Sequence, residues 1–303
     1  MTDNRDLPHA EWRVLCLGLG YTAAALARRL EPKGARIAGT ARSADGVQRI
    51  KHRGWNGVPF DGPDLSAELT AAISEATHVL LSAAPGPGGD PVLDHLGNHL
   101  ARGPRLRWLG YLSTVSVYGD HRGGWVDETT APRDPGPRGV DRLEAERAWL
   151  AFGNEHGRRV DIFRLPGIYG PGRSAVDQLR AGTARRISKP GQVFNRVHVD
   201  DIAAALEAAM RQPSPHNVYN ITDDEPAPAD EVVAYAASII GMAPPPLVPF
   251  AKAQFSPMAR SFYDQAKRVS NRRMKENLGV KLAYPTYREG IAAIASLAAS
   301  REA

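Results

Sequence analysis

The sequence predicts an α/β protein built on a doubly wound parallel sheet, with a smaller lobe supplied by its C-terminal part. Three observations carry that prediction. Short apolar runs alternate with helical patterns through the first half of the chain, as βαβ units do. The 303 residues suffice for one large α/β domain with an accessory lobe. A glycine turn, "GLGYTA" at 18–23, follows the first apolar run and opens the first helix, which is where such a sheet carries its ligand turn.

Taken in order, "WRVLCLGLG" reads as the first strand and "TAAALARRL" as an alanine-rich helix. "ARIAGTA" is a second strand, and "SADGVQRIKHRG" a helix ending on Gly54. "WNGVPFD" is a third strand, followed by the helix "LSAELTAAIS". "THVLLSAAP" makes the fourth strand, and a helix from about Asp90 to Arg102 leads into the fifth, "RLRWLGYLST". A long Gly/Pro-rich loop precedes a helix at 138–152; loops of that length tend to be functional. "RRVDIFRLPG" is the next strand, followed by a helix near 174–184. "FNRVHVDDIAAALEAAM" reads as a strand entering a helix capped by Asp200 or Asp201. "HNVYNITD" is a late strand. After it the pattern turns helical and proline-rich ("GMAPPPLVPF"), ending in helices within "KRVSNRRMKENLG" and "TYREGIAAIASLA". The expected division is a sheet domain over 10–170, completed by about 194–222, with the lobe formed by 171–193 and 223–303.

Composition narrows the function classes. Hydrophobic content of 43% and charged content of 23% are those of an ordinary globular protein. The start lacks a secretory pattern, and no apolar run approaches bilayer length; the expected location is the cytoplasm, with no membrane partner. A single cysteine, Cys16, lies inside an apolar run and reads as a core filler. Neither a cysteine cluster nor an H-x-x-H pattern is present, so no metal is expected. The net charge of +5 is spread over scattered arginines, which argues for local anion sites over nucleic acid.

"GLGYTA" is a G-x-G-x-x-A dinucleotide turn in its proper strand–helix context. Gly18 permits the tight turn, and Gly20 lets the backbone approach a pyrophosphate. Tyr21 and Thr22 open the helix whose amides would face the phosphates, and Ala23 is small enough for close packing. About twenty residues on, an NAD-selective site would carry an acidic residue; here Arg42 and Ser43 suit a 2′-phosphate. NADP is therefore the expected cofactor, with NAD the alternative. Asp61 either accepts from the adenine amino group or serves as a turn residue. Ala83 and Ala84, at the end of strand four, leave room for the cofactor.

Together with "YLSTVSVYGD", "RLPGIYGPGR", "RVHVDDIAAAL" and "VYNITDDEP", this turn makes the chain resemble the short-chain dehydrogenase/reductase superfamily. It is most similar to the extended or atypical branch, the NAD-dependent epimerase/dehydratase-like proteins, whose nucleotide domain is a Rossmann-type sheet. The resemblance implies a Ser or Thr after strand five, then a Tyr and a Lys four residues apart at a helix start. The Tyr handles the proton of the reacting carbonyl, which otherwise ends as an alkoxide. Here Thr114 holds the first position, Arg138 the Tyr position and Arg142 the Lys position. Arg142 can still bond ribose hydroxyls. A guanidinium cannot donate a proton at neutral pH, so the usual tyrosine mechanism does not carry over.

Tyr118 and Tyr169 are nearby phenols that are mostly structural in relatives. His121 and the Asp127–Glu128 pair are loop candidates for acid–base work, with solvent-facing charge as the blander account. His198 either faces the substrate or is a strand-end histidine satisfied by backbone. Arg173 and Arg196, with Arg138 and Arg164, could rim a site for a phosphorylated or carboxylated small molecule. Two readings follow. The first is an oxidoreductase or epimerase-like enzyme with a degenerate active site. The second is a catalytically silent NADP-binding sensor or partner-binding protein. Family habit implies a homodimer through the 138–152 helix, which Glu144 and Arg147 neither support nor exclude.

Overall fold

The computed structural model describes residues 7–86, 88–212 and 217–302. Seven strands form one parallel sheet: β1 (Arg13–Leu17), β2 (Arg36–Ala41), β3 (Asn56–Pro59), β4 (His78–Leu81), β5 (Trp108–Thr114), β6 (Val160–Leu165) and β7 (Asn217–Asn220). Their order is β7-β6-β5-β4-β1-β2-β3, and every neighbouring pair is parallel. The order reverses between β1 and β4, so a crevice opens there at the carboxyl ends of the strands. The late strand begins at Asn217; His216, which opened it in the sequence reading, lies outside the described residues.

Helices cover both faces, as strands this apolar require. Helices α1 (Tyr21–Leu30), α2 (Ala44–Lys51), α3 (Ala67–Glu75), α4 (Pro91–Arg102) and α5 (Gly136–His156) follow the first five strands in turn. On one face, Leu26 and Leu30 of α1 pack with Trp108, Phe163 and Leu206, the last from α7 (Val199–Arg211). Met274 and Leu278 of the helix Arg272–Leu278 join the same core. On the other face, Leu69, Leu96 and Trp149 meet Leu15, Val79 and Tyr111. Cys16 is fully buried in the first of these cores, and burial pushes its thiol up to about 12, so it acts as an inert filler. A third apolar cluster joins α6 (Ala175–Arg180), α8 (Ala229–Ile239) and the helix Tyr287–Glu302 through Val176, Val233, Ala236 and Ile291. Among the described residues, no helix is long and apolar enough to cross a membrane.

Three local expectations are corrected. The cap of α7 is His198, whose Nδ1 accepts from the Asp200 amide at 3.2 Å. Asp201 instead accepts from the Ala283 and Tyr284 amides, which pins the last segment to α7. The proline-rich stretch is not helical, since proline cannot donate within a helix. It forms a short strand, Leu247–Pro249, beside Arg186–Ser188. The loop after β5 contains a single 3-10 turn, Val115–Tyr118, and a two-residue strand, Trp125–Val126, paired with Arg268–Val269. Two residues are too few to show a periodicity in the sequence.

Candidate functional site

The glycine turn stands at the carboxyl end of β1, at the edge of the crevice. Gly18 has φ +93° and donates its amide to Thr40 Oγ1 at 2.8 Å. A Cβ there would lie 3.2 Å from the Ala83 amide nitrogen, so both the backbone angle and the space demand glycine. Gly20 has nothing within 4 Å of a Cβ position, and α1 begins there without a side-chain cap. An uncapped helix start presents free amides and the positive end of the helix dipole to whatever anion sits above it. Ala23 is fully buried and Thr22 nearly so, while the Tyr21 hydroxyl donates to the Pro171 carbonyl at 3.1 Å.

The neighbouring strand ends bring the other expected cofactor residues to the same edge. Arg42 is exposed just after β2, and Ser43 caps α2 by accepting from the Gly46 amide at 3.2 Å. Ala83 and the exposed Ala84 follow β4, and Asp61 is exposed beyond β3. Small side chains at 83 and 84, an open Gly20 and an uncapped helix fit an extended dinucleotide lying across the edge.

The expected catalytic residues are brought close but given unlike duties. Thr114 ends β5; its Oγ1 accepts from the Ser116 amide at 3.2 Å and lies 3.3 Å from the Ser116 hydroxyl. The first turn of α5 abuts this segment: a Cβ on Gly139 would lie 3.0 Å from the Ser116 carbonyl. Arg138 is exposed on that turn and makes no hydrogen bond or ion pair among the described residues. Arg142 reaches inward instead. Its Nη1 donates to the Leu112 carbonyl at 2.7 Å and to the Tyr111 hydroxyl at 3.4 Å, with the guanidinium over the Tyr111 ring.

Tyr118 is fully enclosed. Its hydroxyl donates to Asn220 Oδ1 at 2.7 Å and accepts from Arg164 at 3.0 Å, and burial pushes its pKa up to about 12. Arg164 is therefore not on an anion rim; it pairs with buried Glu146 at 2.7 Å, which also accepts from Ser113. Glu146, Ser113 and Asn220 went unnoticed in the sequence, because nothing in their spacing shows that a helix, a strand end and a late strand converge. His121 donates to the Tyr118 carbonyl, Glu128 accepts from the Asn220 amide, and Asp127 accepts from Thr129. The ring of His198 is 1% exposed, held between Tyr169 and Tyr284 as well as capping α7. Burial lowers its pKa, which keeps it the neutral acceptor that a cap requires.

A pocket of about 270 Å³ lies between the segment that follows β6 and the helices α6, α8 and Tyr287–Glu302. Thr114 pairs with Leu165 at the end of β6, and Gly167, two residues on, forms the near wall. Arg173 and Arg196 both line the pocket. Arg173 is exposed, its guanidinium 5.7 Å from the centre of the Tyr21 ring. Arg196 Nη1 donates to the Phe194 and Ala227 carbonyls, both at 2.9 Å. Asp223 lies close to Arg196 in charge terms, 2% exposed, with Oδ2 lacking a partner among the described residues. Burial pushes its pKa up to about 8. No group of three His, Cys, Asp or Glu side chains able to hold a metal occurs among the described residues.

A seven-strand sheet of this order, with an open glycine turn at its switch point, defines an α/β nucleotide-binding fold. Residues 90–222 match the model of the NAD dependent epimerase/dehydratase family. The chain is 29% identical over 283 residues to protein YeeZ of Escherichia coli K12, covering 90% of this chain and 96% of YeeZ. The solved structure of a functionally unknown conserved protein from Silicibacter pomeroyi shares 49% identity with it. That match covers 94% of this chain and 98% of the other, with a TM-score of 0.85. MoeE5, solved in complex with UDP-glucose and NAD, superposes with a TM-score of 0.77 at 21% identity, over 96% of this chain and 99% of its own. The match to the NAD dependent epimerase/dehydratase family thus rests on residues 90–222, from the start of α4 to the end of the sheet.

Proposed function

We propose that the protein is a nicotinamide-dependent oxidoreductase or epimerase-like enzyme of the cytoplasm, with NADP preferred and a small molecule as substrate. The observation that carries this reading is the uncapped start of α1 at Gly20, with open space above it at the point where the strand order reverses. Gly18, Gly20 and the first amides of α1 would hold the pyrophosphate. Arg42 and the Ser43 hydroxyl would take the 2′-phosphate, for which an acidic residue at the same place would be repulsive. The cofactor supplies or accepts a hydride.

The chain's own part is to hold the reacting oxygen. Thr114 would donate to it, and Arg138, free and permanently charged, would stabilise negative charge that develops there. With Tyr118 locked in its network and Arg138 unable to release a proton, the proton comes from water at the open edge. Arg142, tied to β5, contributes rigidity to α5. A purely sensory protein would have less use for a pocket of about 270 Å³ in the accessory lobe.

Calorimetric titration with NADPH and then NADH tests the reading. NADPH should bind more tightly, and Arg42→Ala should remove most of that preference, about tenfold for a lost charge-assisted contact of roughly 1.5 kcal/mol. Binding of neither nucleotide would end it.

A further inference from the structure

The pocket beside Gly167 narrows the substrate class, an inference that rests on the enzymatic reading above. We propose that this pocket takes a compact organic carboxylate with an aryl or branched-alkyl body, and that a nucleotide sugar is not its ligand.

Size is the first argument. At about 270 Å³ the pocket falls just below the roughly 300–1,000 Å³ typical of sites for drug-sized ligands. A single ring with a short acid chain fills such a space. Lining chemistry is the second. Val232, Val233, Tyr287 and Ile291 line the pocket on the side of α8 and the last helix. The Ser174 hydroxyl is already spent, donating to Asp177 Oδ2 at 2.5 Å. Gln178 is the one neutral amide side chain in the lining, so a sugar would find fewer neutral partners than it has hydroxyls, at a cost of about 1–3 kcal/mol for each left unpaired. An apolar body loses nothing.

Charge is the third argument. Two guanidinium groups border a mostly apolar pocket, and neither forms an ion pair with a carboxylate among the described residues. Arg173 has no ion-pair partner among the described residues. Arg196 is bonded to neutral carbonyls, and burial lowers its pKa, a sign that its charge is poorly compensated. The acid beside it, Asp223, stays protonated up to about pH 8. Uncompensated positive charge facing a cavity favours an anion. A guanidinium fork matches a planar carboxylate through two parallel hydrogen bonds.

The test uses the full-length protein and three probes, cinnamate, UDP-glucose and inorganic phosphate, each titrated calorimetrically with and without NADPH. Cinnamate should bind in the micromolar to millimolar range. Arg196→Gln should weaken it at least tenfold. Ala229→Phe, which fills the pocket from a half-buried position on the first turn of α8, should abolish it while leaving NADPH binding unchanged. The second variant guards against Arg196→Gln simply disturbing the fold. UDP-glucose binding more tightly than cinnamate and surviving Ala229→Phe would overturn the proposal, as would cinnamate that fails to bind at all. Phosphate binding as well as cinnamate would also overturn it, because the apolar body would then contribute nothing. If Arg173→Ala weakens NADPH but not cinnamate, Arg173 serves the cofactor and the carboxylate assignment fails. Cinnamate binding without NADPH binding would sink the cofactor reading and leave the pocket assignment standing.

Discussion

Two helix starts at the edge of the sheet, those of α1 and α5, differ in what they are made from. Several of their neighbours are closed by side chains: Ser43 caps α2, Ser66 caps α3, Asp90 caps α4 and His198 caps α7. Neither α1 nor α5 has such a cap. At α1 the open start is a receptor built from backbone: a glycine in a left-handed conformation, a second glycine with empty space above it, and free amides. At α5 the start is a platform for side chains, entered through Asp134 at φ +43° and Pro135, with Gly139 seated against Ser116. A backbone receptor needs only small residues and survives wide sequence change. A side-chain platform keeps its shape when its chemistry is exchanged, and here it carries Arg138 and Arg142 where the resemblance implies a phenol and an amine.

The largest effect that could break this comparison is at Gly20. Its φ of −90° is open to any residue, and nothing lies within 4 Å of a Cβ. Gly20→Val should therefore fold with an unchanged melting temperature yet weaken NADPH at least about 100-fold, or roughly 2.7 kcal/mol. Wild-type affinity in that variant would show the turn to be a structural bend, no more a receptor than the start of α5.

A smaller effect separates the two arginines of α5. Arg142→Met breaks a charge-assisted bond to the Leu112 carbonyl and strands the Tyr111 contact. Such bonds contribute about 1.5–3 kcal/mol, and each kcal/mol shifts the melting temperature of a chain of this size by about 2–4 °C. Arg138→Met, on an exposed side chain without a hydrogen bond or ion pair among the described residues, should stay within about 0.5 kcal/mol of wild type. Thermal melts of both variants decide the matter. Equal destabilisation would mean that Arg138 is also structural, and the charge assigned to it at the reacting edge would have to be withdrawn.

How much of this could be read in the sequence follows the same division. The sheet, its order of helices and the "GLGYTA" turn were legible because each rests on a short local pattern: an apolar run, a period, a glycine. Arg138 and Arg142 were legible as positions, since i and i+4 share a helix face, but not as roles. One points to solvent and the other into β5, which depends on where Tyr111 and Leu112 lie in the sheet. Nor could the sequence show that Arg164 belongs to Glu146, 18 residues away, when exposed charges nearby looked equally available. The pocket was beyond reach for a stronger reason. Its walls come from residues 167–178, 196, 229–233 and 287–291, joined only by the packing of α6, α8 and the last helix.

The last comparison concerns Asp223, where the pocket's charge balance can be measured directly. Its neighbours are Arg196, which favours the ionised form, and Asp224, Glu225 and Tyr169, which oppose it; burial is the largest influence and also opposes it. In the unfolded chain this carboxyl titrates near 3.8, while in the fold it holds its proton up to about 8. Between those values the folded state binds a proton that the unfolded state has released, so stability falls as pH rises from about 4 to about 8 and is flat above. Asp223→Asn removes that titration. Its melting temperature should gain on wild type from pH 5 to pH 8, by a few times the 2–4 °C that one kcal/mol gives, and then run parallel. Parallel curves across the whole range would mean that Asp223 is ionised and already neutralises Arg196. The pocket would then carry one free guanidinium instead of two, and its claim on a carboxylate would rest on Arg173 alone.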